Sequence, residues 1–261
     1  MTLVELMVGA ALGLLVVLAV VYVFAGSRAS YRHQESFSTV QESGRIALEL
    51  LTRDIRMAGF PGCGNLLYMD HRSSGDALPA NARFGNEVAI AGDPTQVTVV
   101  RGSAESANLV ASPASNQMQL DNIALLGTVA AGDRLLVSDC VFTEVLTVAA
   151  VAGNAVTAAG ALSRQYRPGS RVMRLEQVAF TRSAQGELLR NGQAIAAGLD
   201  ALSFQFGIPG PGSRSVTNYL DAPTALQMQS VVAVRLNMTV TDREVSQMPF
   251  STTVTLRNRA P

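Results

Sequence analysis

The chain contains no lysine and no tryptophan. Without lysine there is no Schiff-base amine and no phosphate-gripping P-loop lysine. Without tryptophan, and with 5% aromatics in all, no stacking platform for sugars or bases is expected. Histidine occurs twice, as His33 and His71. A Ser-His-Asp enzyme would have to use His71, and no G-x-S-x-G accompanies it. Asp70 and Asp76 flank His71 without the spacing of an EF-hand loop. No enzyme activity, no cofactor and no metal centre are therefore expected. Formal net charge is zero, which removes any bulk attraction to nucleic acid. Four arginines, Arg164, Arg167, Arg171 and Arg174, crowd "RQYRPGSRVMR". In a neutral chain they read as a solvated face, and direct nucleic-acid contact is not expected. Cysteine is also scarce: Cys63 and Cys140 are far apart and form no C-x-x-C, which excludes a thioredoxin-type redox site.

Charge is missing from one long stretch. Leu6 to Ser27 is an uncharged apolar run of 22 residues. As a helix it spans about 33 Å, enough for a hydrocarbon core of roughly 30 Å. It is too long for a signal-peptide h-region and has no basic segment ahead of it, although Ala25-Gly26-Ser27 resembles a cleavage site. Glu5 stands at its mouth. Gly9 and Gly13 form a G-x-x-x-G inside it, a spacing that lets helix backbones approach closely. Arg28 and Arg32 follow, and on a naive positive-inside reading they place the C-terminal bulk in the cytoplasm. A basic leader removed from in front of Met1 reverses that reading.

The helical pattern continues past Arg32. Phe37, Val40, Gly44, Ala47, Leu51, Ile55 and Ala58 recur at spacings of three and four, while Glu42, Arg45, Glu49, Arg53, Asp54 and Arg56 occupy the rest. This predicts one helix from Thr2 to Ala58 whose second half packs by one face. Gly59 supplies a left-handed cap and Pro61 a stop; Gly26, Ser27 and Gly44 are candidate soft points. After Cys63 the pattern turns to period two. Strands are predicted at 87–91, 96–101, 134–140, 143–151, 155–159, 171–182, 188–190, 199–208, 229–241 and 250–258, with Gly153-Asn154 and 183–187 as hairpin turns. The stretches 72–86, 102–116 and 209–225 read as loops. The fold class is α+β: an N-terminal transmembrane and stalk helix over residues 1–59, then a β-rich head over residues 60–261.

"MTLVELMVGAALGLL" resembles the mature start of a type IV pilin or type II secretion pseudopilin. "RDIRMAGFPGC", "GDRLLVSDC" and "FSTTVTLRNR" narrow the likeness to PilW-type minor pilins of type IV pilus machinery. The resemblance implies a type IV pilin-like fold and a non-enzymatic structural subunit. It implies that Met1 is an N-methylated, leader-cleaved terminus and that Glu5 carries subunit assembly. Phe is commoner than Met in the first place. A minor pilin of this type primes pilus assembly and sits at or near the tip, supporting twitching motility, adhesion and DNA uptake indirectly. Its partners are other minor pilins, the major pilin, a tip adhesin and an inner-membrane assembly platform. Its head is periplasmic before assembly and at the cell surface afterwards. In such an oxidising compartment the default for Cys63 and Cys140 is one disulfide; free thiols are the default for a cytoplasmic head. A J-type pseudopilin of type II secretion and a membrane-tethered adhesin or DNA-binding module are the alternatives.

Overall fold

The computed structural model of the chain describes residues 3–63, 69–70, 89–210, 215–242 and 247–258. It opens with helix α1, Leu3–Arg56, of 54 residues. The helix is unbroken at Gly26, Ser27 and Gly44. Past Arg56 the chain makes one turn into Gly59, whose φ of 71° is the left-handed conformation that glycine adopts without strain.

The head that follows is built from two antiparallel-rich sheets, and the chain is α+β. The larger sheet contains β1 (Met69–Asp70), β2 (Ile90–Asp93), β3 (Gln96–Asn108), β4 (Gln117–Gln119) and β5 (Arg134–Ser138). It continues with β6 (Thr143–Ala152), β7 (Ala155–Ala158), β8 (Arg171–Arg182), β9 (Leu188–Arg190) and β10 (Gln193–Ala196). Its order runs β10-β9-β8-β5-β6-β7-β4, with β3 along the other edge of β8. The smaller sheet is β12 (Val216–Leu220), β11 (Leu199–Pro209), β13 (Ala233–Val240) and β14 (Met248–Thr255), in that spatial order. A single helical turn, α2 (Ala225–Met228), precedes β13 and starts at a capping box between Thr224 and Gln227.

Several expectations need correction. The stretch 102–116 is not all loop: β3 runs on to Asn108 and pairs with β8 through a bulge between Gly102 and Ser106. The extra residues of that bulge break the alternation, so the second half of the strand carries no period-two signal. The stretch 209–225 contains β12, which pairs with β11 and has no fully buried residue. An edge strand with little to bury has little pattern to read. β4 and β10 were likewise not expected. The predicted loop 72–86 lies outside the described residues.

The second half of α1 packs on β14, β13 and β10. Val40, Ala47, Leu51, Ile55 and Ala58 are buried there with Phe180, Phe204, Phe206, Leu236 and Val254. Phe37, expected to share this stripe, is 41% exposed because the head covers the helix only from about Val40 onward. Gly44 is a seat rather than a soft point. A β-carbon placed on it would collide with the ring of Phe250 from β14. The glycine lets strand and helix close up, at a helix-propensity cost of about 1 kcal/mol relative to alanine.

A second core lies in the far lobe, around Leu109, Met118, Leu135, Leu146 and Tyr166. Here Glu144 is fully buried and accepts hydrogen bonds from the Ser163 amide (2.9 Å) and hydroxyl (2.9 Å) and from the Tyr166 hydroxyl (3.1 Å). Burial, reinforced by the Glu144 charge, pushes the Tyr166 phenol well above its ordinary range. The pair straps the 159–170 connection onto β6.

Candidate assembly surface on the long helix

The first part of α1 is left uncovered by the described residues of the head. Leu6, Leu12, Leu15, Val16, Val20 and Phe24 are all more than half exposed. An 18-residue window of this helix reaches a mean hydropathy of 2.7 with none of it buried. By length and composition it is apolar enough to cross a membrane. Gly9 and Gly13 lie one turn apart on this bare segment. A β-carbon at either would meet nothing within 4 Å, so neither glycine serves a contact among the described residues. Glu5 lies in the first turns of the same helix, while Met1 lies outside the described residues. At the other end of the apolar run the Arg28 guanidinium sits 5.5 Å from the ring centre of Phe24. Tyr22, Tyr31, Arg28 and Arg32 are exposed within three turns of one another, which is the amphipathic belt found where a helix leaves lipid. His33 is exposed on the same stretch.

The second part of α1 is fastened by its last turn. Asp54 is buried and bridges two strands: its Oδ1 lies 3.1 Å from Arg101 on β3 and its Oδ2 accepts from Arg190 Nε on β9 at 2.9 Å. Arg101 also reaches Glu176 at 3.5 Å. The sequence reading put Asp54 on the solvent side. Its position, three beyond Leu51 and seven beyond Ala47, places it on the buried stripe, and that spacing was the available signal. Backbone bonds extend the fastening. The Gly59 amide donates to the Val100 carbonyl at 2.8 Å, and the Gly102 amide donates to the Phe60 carbonyl at 2.7 Å. The Thr143 hydroxyl donates to the Pro61 carbonyl at 3.2 Å.

A disulfide completes it. Cys63 and Cys140 are bonded, with Cα atoms 4.5 Å apart and 77 positions between them in sequence. Cys140 sits in the β5–β6 turn with φ of 69°, a left-handed conformation stabilised by Asp139, whose Oδ1 accepts from the amides of Val141 (3.0 Å) and Phe142 (2.7 Å). The Ser138 hydroxyl oxygen accepts from the Cys140 amide at 3.3 Å and lies 3.0 Å from the Thr143 hydroxyl. The bond therefore ties the segment leaving α1 to the larger sheet.

The arginine cluster of 164–174 is dispersed by the fold. The Arg164 guanidinium lies 3.4 Å from the Phe142 ring centre, and Arg174 pairs with Asp133 at 2.9 Å while donating to the Thr128 carbonyl. Arg167 and Arg171 are exposed. Among the described residues no group of three or more metal-ligating side chains comes together; His71 and Asp76 lie outside those residues. The chemistry on display is thus a bare apolar rod, rigidly joined to a head. No protein-family model and no curated protein matches this chain.

Proposed function

We propose that the chain is a minor pilin, a non-enzymatic structural subunit that primes type IV pilus assembly and stands at or near the tip. The observation that carries this reading is the long bare helix with Glu5 at its start. A carboxylate in hydrocarbon is tolerated when it is paired or protonated. The nearest partner of suitable chemistry is an α-ammonium, and the terminus of a neighbouring subunit supplies one. Met1 and Glu5 are four residues apart, about 6 Å along a helix. Pairing Glu5 with a neighbour's terminus therefore sets a stagger of that size and draws apolar rods together. Gly9 and Gly13, which serve no contact among the described residues, give a neighbouring backbone room to approach. The pilin-like fold, the pilus partners and the location at inner membrane and then cell surface all belong to this proposal. A single disulfide in the head agrees with an oxidising compartment.

Full-length Glu5→Ala and Glu5→Gln proteins should insert in membranes as the parent does and fail to enter sheared filaments, by at least about ten-fold, as 1.4 kcal/mol of lost pairing requires. Equal incorporation of both variants would falsify the role. Mass spectrometry of the native terminus provides the companion check: a methylated Met1 is expected.

A further inference from the structure

Beside the fastened half of α1 lies a groove of about 620 Å³. Leu48, Thr52, Met57 and Phe60 form its helix-side wall, all half-buried. Gly102 and Ala104 of the β3 bulge and Thr252 of the edge strand β14 also line it. Its size is that of a binding cleft, roughly 300–1,000 Å³. Four arginines surround this apolar floor: Arg45 at one end, and Arg53, Arg56 and Arg101 at the other. Glu49 is the acid between them. Arg101 is already matched by Asp54 and Glu176. Among the described residues the exposed Arg45, Arg53 and Arg56 have no carboxylate within ion-pair distance. Among the described residues these three cations share the apolar trough with one acid, Glu49, which leaves a local excess of positive charge.

We propose that the groove receives an acidic amphipathic segment of a different protein chain. Its apolar side chains would rest on Leu48, Met57 and Phe60. Two of its carboxylates would sit about 12–17 Å apart, the helical distance from Arg45 to Arg53 and Arg56. Charge complementarity of this kind fixes register and steers encounter, and a guanidinium facing a carboxylate across a rim is the arrangement that delivers it. A second copy of this chain is a poor occupant. Its own acidic row, Glu35, Glu42 and Glu49, is interrupted by Arg45 and offers Ile46 as its large apolar side chain. A lipid headgroup is out of reach as well, since Arg45 lies 17 residues beyond Arg28, about 25 Å up the helix from the end of the apolar run. The groove is separate from Glu5, and its occupancy does not depend on filament entry.

The test is site-specific photo-crosslinking of the full chain in the membranes of cells that make it. A benzophenone side chain replaces Thr52 in the groove or, as a control, the exposed Val110 on the far lobe. Thr52 should capture one protein through a peptide holding at least two acids and flanking apolar residues, and Val110 should not. In the Thr52 background, Arg53→Glu with Arg56→Glu should lower capture at least ten-fold, and lysines in place of the partner's acids should restore it. Both arginines are exposed, so unchanged thermal unfolding of the purified variant verifies that its fold is intact. Capture of lipid, of another copy of this chain or of a non-acidic peptide overturns the proposal. So does equal capture at both positions, or capture indifferent to the charge reversal.

Discussion

Asp54 shows how much one side chain can organise. It is buried, yet it is served by two guanidiniums from strands 89 positions apart in sequence, Arg101 and Arg190. A buried ion pair gains little over a well-packed apolar group, but removing one partner alone is expensive. Asp54→Ala should therefore lower the stability of the head by about 2–4 kcal/mol, read as a shift of the urea midpoint at unchanged slope. Asp54→Asn, which retains volume and one acceptor, should lose less. The residue was legible only in part. Its heptad relation to Ala47 was visible in the sequence, but a carboxylate on an exposed-looking helix is assigned to water unless its partners are known, and both partners come from distant strands. Glu144 was hidden for the same reason. Its three donors come from Ser163 and Tyr166, about 20 positions away, and no local pattern announces them.

At the level of elements, legibility followed amphipathicity. β8 was predicted at 171–182 and occupies Arg171–Arg182, where β3, β5 and β9 pair with it along its length, β3 through its bulge. α1 was legible at both ends for different reasons: absence of charge marked the first half and a three-four stripe marked the second. The half of β3 beyond the bulge, and the short edge strands β4, β10 and β12, were not legible, since partner strands hold them in place and their own sequences do not. The joint between helix and sheet depends on the bridge from Cys63 to Cys140. In the chain-entropy picture a loop of 77 residues gives about 4.5 kcal/mol of stabilisation, as an upper figure. Cys63→Ser with Cys140→Ser should lower the unfolding midpoint, and hydrogen exchange should rise first at Gly59 and Gly102, whose amides close the joint. Exchange confined to the far lobe would contradict that placement.

For the whole molecule the decisive contrast is between a rod that buries nothing and a head that buries a full core. The apolar residues from Leu6 to Phe24 are left exposed by the described residues, and a contiguous apolar surface of that size is the mark of an interaction surface. Arginines placed at Leu15 and Val16, near the middle of the run, should each disfavour insertion by about 2.5–3.5 kcal/mol. The double variant should become extractable by alkali while its head unfolds at the parental temperature, since no described head residue covers that part of the rod. Retention in the alkaline pellet would mean that something other than the rod holds the protein to the bilayer.

The continuity of α1 has a mechanical consequence. From Leu3 to Arg56 there is neither proline nor a break in the helix, and the upper end is clamped by an ion triad and a covalent bridge. A pull on the head is thus delivered straight down a single column, and a twist of the anchor turns the head with it. With no swivel between them, any turn imposed on the lower end of the column sets which side of the head looks outward.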